Sequence, residues 1–233
     1  MFKRVVKIAG WVVLSLLGLL LGLVGVVLVR SDRTFDAPYP DIEASSDPKV
    51  IARGRYLAYG PAHCVNCHTA NGLAKDVANG ATPPLTGGHE FKLPFGVVRS
   101  RNLTPDATTG IGRYSDRELA RVLRYGVKPD GRVVLPFMEM QNLTDEDLTA
   151  IISFLRSQEP VRNDIADHDF NLLGKAILAF AMKPVGPAGP ILPATPAEGT
   201  IARGEYLATA VANCDACHTK RNLMTGEFIG ERF

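Results

Sequence analysis

The chain has 233 residues, 46% hydrophobic and 21% charged, a balance that excludes a disordered or collagen-like polymer and allows one large domain or two small ones. The formal net charge is +2, and residues 1–36 alone carry +3 through Lys3, Arg4, Lys7, Arg30 and Arg33 against Asp32 and Asp36. The remaining body is near neutral and has no basic block, which argues against a nucleic-acid partner.

Residues 8–29 are a 22-residue run without charge, with Ser15 as its single polar side chain. As a helix it spans roughly 33 Å, enough for a hydrocarbon core of about 30 Å. The run exceeds a signal-peptide core and no small-residue cleavage site follows it, so residues 1–36 read as an uncleaved transmembrane anchor. The preceding Lys3, Arg4 and Lys7 place the N-terminus in the cytoplasm and the body on the far side of the membrane.

A repeat organises the body. Residues 51–69, IARGRYLAYGPAHCVNCHT, match residues 201–219, IARGEYLATAVANCDACHT, at 12 of 19 positions with a constant offset of 150. That density marks a duplicated module. In the first copy, Asp47-Pro48 predicts a helix start. Residues 70–113 read as a long irregular wrap. Ser115 with Glu118 is a capping box that opens a second helix, stopped by Gly126. Pro129-Asp130-Gly131 predicts a turn. Thr144 caps a last helix with Leu148, Ile151, Ile152 and Leu155 on one face and Pro160 past its end. No stretch outside the anchor alternates as a strand, so the expected class is all-α. An irregular segment this long in so small a domain makes sense if something other than side chains fills the centre. Residues 46–160 form this first domain. Residues 161–196 follow as an apolar helix (170–182), packed on the module or at the membrane surface, and a connector with Pro184, Pro187, Pro190, Pro193 and Pro196 at polyproline spacing. Residues 197–233 begin a second domain.

All four cysteines lie in two pentapeptides, Cys64-Val65-Asn66-Cys67-His68 and Cys214-Asp215-Ala216-Cys217-His218. Two thiols three apart on a helical turn can each add to one vinyl group of a haem, and the next residue offers its imidazole to the iron. Structural zinc would need the pairs closer together. A redox dithiol needs no following histidine, and disulfides leave both histidines unexplained. The pattern therefore calls for haem c at two attachment sites, with His68 and His218 as axial ligands. A thioether suits the other face of the first iron, and the loop 135–140 supplies Met138, the preferred candidate, or Met140. His89 is a weaker option. His63 is replaced by Asn213 in the second copy, and His168 reads as solvated. Arg99, Arg101 and Asn102 in the wrap could meet haem propionates or form an exposed basic loop.

The stretches ARGRYLAYGPAHCVNCHT (52–69), RNLTPDATTGIGRYSDRELARVLRYGV (101–127) and LPFMEMQNLTDEDLTAIISFLRS (135–157) resemble the class I cytochromes c. Within that class they resemble the multihaem cytochromes that accompany membrane-bound alcohol- and gluconate-type dehydrogenases of Gram-negative bacteria. The resemblance implies thioether attachment at Cys64 and Cys67, with His68 as proximal and Met138 as distal ligand. Only 15 residues follow His218, whereas Met138 is the 70th residue after His68. The second domain is therefore expected to be incomplete, without a sixth ligand of its own, and the chain reads as a piece of a longer dihaem or trihaem protein. The implied function is single-electron transfer in the periplasm, on the inner membrane, between redox partners such as a dehydrogenase, a quinone-linked complex or a terminal oxidase. No acid–base or nucleophile pair suggests substrate chemistry. Two rival readings are the electron-accepting subunit of a dehydrogenase complex and a dihaem peroxidase.

Overall fold

The computed structural model describes residues 2–70, 74–214, 218–220 and 229. Helix α1 (Phe2–Arg30) carries the apolar run and is exposed along nearly its whole length, with Val27 as its single buried residue. It is long and apolar enough to cross a membrane. The chain then straps itself onto the body. The nearly buried Arg121 donates to the carbonyls of Ala37 and Phe35 at 3.1 and 3.3 Å and to the Tyr39 hydroxyl at 3.2 Å.

The core is a crossing of two helices, α2 (Pro48–Tyr59) and, after the helices α3 (Cys64–His68), α4 (Ala74–Ala78) and α5 (Asp116–Tyr125), α6 (Asp145–Ser157). Helix α2 starts where expected, with the Asp47 carboxylate accepting from Lys49 N at 2.8 Å and Pro48 at the first position. Leu57 and Ala58 of α2 bury completely against Leu148, Ile151, Ile152 and Phe154 of α6. The crossing is close because of Gly54. A Cβ built there would lie 1.8 Å from the Ala150 carbonyl oxygen, so only glycine lets the two backbones touch. Helix α5 has the full capping box of Ser115 and Glu118 and ends at Gly126 in the left-handed conformation, φ 63°. Helix α6 is capped by Thr144 and has two further N–H groups, of Asp145 and Glu146, donating to Leu192 and Pro193 carbonyls at 3.1 Å each. The proline-rich connector thus serves as part of an N-terminal cap.

The all-α expectation requires correction. Strands β1 (Glu90–Leu93) and β2 (Gly96–Arg99) form an antiparallel hairpin, and the two-residue β3 (Asp169–Phe170) adds to its free edge in the order β1-β2-β3. Glu90 pairs with Arg99 and Leu93 with Gly96, while Gly96 also faces Phe170. Four residues per arm are too few for alternation to stand out from an irregular loop, and a two-residue strand has no pattern at all. Gly96 permits the third strand, since a Cβ there would meet the Asp169 carbonyl at 2.2 Å.

Helix α7 covers Leu172–Ala181, its second half wound as a wider π turn. It packs on the hairpin and on the end of α1. The repeat returns in α8 (Ile201–Tyr206), again continued by a π turn over Leu207–Val211. Tyr206, Ala210 and Val211 join the core of the first module, so the beginning of the second copy is welded to the first.

Candidate functional site

Helix α3 is a single turn made of the first pentapeptide. The residue before it, His63, takes a left-handed backbone at φ 55°, and Asn213 before the second pentapeptide does the same at φ 48°. These are the only non-glycine residues with positive φ among those described. A conformation that L-residues seldom adopt thus recurs at the same point of both copies. Val65 is buried and pins the turn to the core, while Cys64 and Cys67, three residues apart on one helical face, are half-buried free thiols. Burial pushes the Cys64 thiol up to about 12 and raises Cys67 as well. A redox-active pair needs the opposite shift.

His68 is 8% exposed, and its Nδ1 lies 2.8 Å from the Arg101 carbonyl oxygen. A carbonyl only accepts, so Nδ1 carries the proton and Nε2 presents a lone pair. Burial also lowers the His68 pKa, opposed in part by that hydrogen bond, which keeps the ring neutral. This is the arrangement of a metal-ligating imidazole held by a carbonyl partner. Gly87 completes the clamp. Its N–H donates to the His68 carbonyl at 2.8 Å, its φ is +70°, and a Cβ there would sit 2.4 Å from the Arg101 oxygen. Neither Gly87 nor the Arg101 carbonyl was legible as a site residue, because no side-chain type marks a carbonyl acceptor.

The loop 135–140 reaches the same region through aromatic contacts. The Phe137 ring stacks on Phe91 at 6.4 Å between centroids, and Phe91 meets the His89 ring edge-on at 4.5 Å. His89 follows Gly87 and Gly88, so this chain of contacts links the loop to the backbone that clamps His68. Within the loop, Met140 is buried in the core, while Met138 is half-buried and lines a small cleft with Val122, Leu135, Pro136 and Val185.

Asn213, the residue before the second pentapeptide, sits beside this loop. The Asn213 side-chain amide donates to the Glu139 carbonyl at 2.8 Å. Tyr206 O–H donates to the buried Asp147 carboxylate at 2.8 Å and also meets Thr144. Asp147 in turn receives a two-pronged pair from Arg53 at 2.8 and 2.9 Å. Cys214 is half-buried and His218 exposed, in contrast to the buried His68. Cys217 lies outside the described residues. Gly204, the counterpart of Gly54, has nothing within 4 Å of a built Cβ.

Three readings change. Arg99 bonds Glu90 at 2.7 Å, and Arg101 bonds Asp167 at 2.8 Å and two nearby carbonyls, so both guanidiniums have protein partners rather than forming a bare basic loop. Asn102 is buried and organises the wrap, donating to Val161 O at 2.8 Å and accepting from Thr104. His168 is only partly exposed. Its Nδ1 accepts from Arg99 N–H at 3.2 Å, its ring meets Phe170, and burial together with nearby cations brings its pKa down to about 4.

The residues fit a covalently held haem: two adjacent free thiols, a neutral imidazole with Nε2 available, a glycine-only cradle behind it and a thioether loop close by. Comparison with known proteins agrees. Residues 51–159 match the family model for cytochrome c. The chain is 33% identical over 196 residues to the cytochrome c subunit of a quinone alcohol dehydrogenase from Gluconacetobacter polyoxogenes, covering 78% of this chain and 38% of that protein. It is 31% identical over 220 residues to the gluconate 2-dehydrogenase cytochrome c subunit of Pantoea cypripedii, covering 91% and 45%. A diheme cytochrome c-type protein of Cereibacter sphaeroides is 27% identical over 194 residues, covering 76% and 62%. The chain thus spans less than half the length of both dehydrogenase subunits. Residues 51–159 are a cytochrome c domain, and the chain is a relative of the cytochrome c subunits of alcohol and gluconate dehydrogenases.

Proposed function

We propose that this chain is a membrane-anchored c-type cytochrome that passes single electrons at the outer face of a bacterial inner membrane. Cys64 and Cys67 would hold the haem through thioethers, and His68 and Met138 would ligate its iron. The bound haem supplies a one-electron iron couple. The protein's part is to keep that couple rigid. Arg101 O and Gly87 fix the His68 ring. The Phe137–Phe91 stack ties down the loop that carries Met138, while Met140 is buried in the core. Ligands fixed in this way would move little between the two oxidation states of a bound iron. Cys214, Cys217 and His218 would offer a second attachment site, with His218 exposed where His68 is buried.

The single observation that carries the reading is the His68 ring, buried and bonded through Nδ1 to a backbone carbonyl beside two free thiols. The names of the relatives favour a dehydrogenase as electron donor, with catalysis on another chain. The test is the oxidised spectrum of the holoprotein after Met138→Ala and, separately, Met140→Leu. Met138→Ala is expected to abolish the sulfur-to-iron charge-transfer band, and Met140→Leu to preserve it. The reverse outcome would assign the ligand to Met140.

A further inference from the structure

Helix α7 has three distinct sides. One lies on the β1–β2 turn, where a Cβ on Gly174 would come within 2.3 Å of the Phe95 carbonyl, and where the Asn171 side chain caps α7 and donates to Pro94 O at 2.9 Å. A second side lies on the end of α1. Arg30 Nε donates to Ala179 O at 3.0 Å, Arg33 donates to Met182 O, and Ala179 is fully buried. The third side is largely open, with the Arg30 guanidinium 5.7 Å above the Phe180 ring. Leu172, Leu173 and Phe180 are 50, 55 and 51% exposed, and helical periodicity gathers them within about 100° of arc.

The contact with α1 sets the level of that third side. Val27 is only 6% exposed on a helix that is otherwise bare, and α7 is what packs against that end of α1. Val27 belongs to the apolar run and lies three residues, roughly 4.5 Å, before Arg30. Helix α7 is therefore level with the last turn of the membrane-spanning stretch. Helices that lie in a membrane surface bury an apolar face about 5–10 Å into the headgroup boundary and keep cations nearby. Residues 170–197 contain no Asp or Glu, and Lys175 and Lys183 flank the apolar side.

We propose that Leu172, Leu173 and Phe180 enter the outer leaflet at the headgroup boundary, with Arg30, Lys175 and Lys183 meeting anionic phosphates. Helix α7 is then a second membrane contact that seats the cytochrome domain at a fixed height and tilt, where α1 alone would leave it free to swing. The inference rests on α1 being a retained span.

The test uses the full-length holoprotein in vesicles of phosphatidylethanolamine and phosphatidylglycerol, doped with a phospholipid carrying a diazirine in one acyl chain. After irradiation and digestion, mass spectrometry is expected to find lipid adducts on the peptide 170–183 as well as within 2–30. The variant Leu172→Glu, Leu173→Glu, Phe180→Glu is expected to lose the first set and keep the second, with an unchanged haem spectrum as the check on folding. Adducts confined to 2–30 in the unmodified protein would overturn the proposal and leave the anchor standing. A chain that fails to sediment with the vesicles would overturn both.

Discussion

Gly54 and Gly204 occupy the same place in the two copies of the sequence IARG, yet their surroundings are opposite, and one substitution tests both. At Gly54 a Cβ would stand 1.8 Å from the Ala150 oxygen and 2.8 Å from the Phe154 Cβ. Contacts below 3.0 Å are essentially never seen for a real Cβ, so α6 must retreat by at least about 1.2 Å along the crossing that buries Leu57, Ala58, Ile151 and Ile152. Overpacking of this kind costs about 3 kcal/mol, against which alanine's better helix propensity returns at most about 1 kcal/mol. Gly54→Ala is therefore expected to destabilise the protein by about 2 kcal/mol or more, a fall of several degrees in Tm for a domain of this size. Gly204→Ala meets open space and is expected to be neutral or to stabilise by up to about 1 kcal/mol. Denaturant unfolding followed by circular dichroism measures both. Equal stability of Gly54→Ala and the unmodified protein would refute the close α2–α6 crossing, and matching losses from both variants would refute the asymmetry of the copies.

Two further outcomes follow from single residues. Tyr206→Phe removes the hydroxyl shared by Asp147 and Thr144 inside the core and is expected to cost about 1–2 kcal/mol; the same change at its exposed counterpart Tyr56 is expected to leave unfolding unchanged. His168 has its pKa lowered from an ordinary 6.5 to about 4, so between these values the unfolded chain binds a proton that the folded chain refuses. Its contribution is complete above about pH 6.5 and disappears as pH falls toward 4. After allowance for its partial exposure this amounts to about 1–2 kcal/mol. Replacing His168 with Gln is expected to flatten the stability profile over that window, and an unchanged acid slope would contradict the burial of the ring.

Much of the fold was legible because it is written in local side-chain chemistry. Asp47-Pro48, Ser115 with Glu118, Gly126 and Thr144 each satisfy orphan backbone groups within a few residues of themselves, so each marks a helix end without any knowledge of the rest. The pentapeptides were legible for the same reason, since thiol spacing and the adjacent imidazole are one local unit. What escaped depends on distant backbone. The hairpin has arms of four residues and becomes a sheet only when residues 169–170 arrive. The Arg101 carbonyl reaches His68 from 33 positions away, and His168 is desolvated by the edge of that same sheet. The connector's prolines suggested a stiff spacer, whereas its carbonyls at 192 and 193 finish the cap of α6.

The most direct test of the central claim is the intact mass of the purified full-length chain, expressed with a cytochrome c maturation system, beside the variant Cys64→Ala, Cys67→Ala. The account predicts covalent haem on the unmodified chain and the loss of one haem equivalent in the variant, along with the thioether spectrum of the first site. A mass equal to the bare polypeptide, or a variant that keeps the full haem complement, would contradict it.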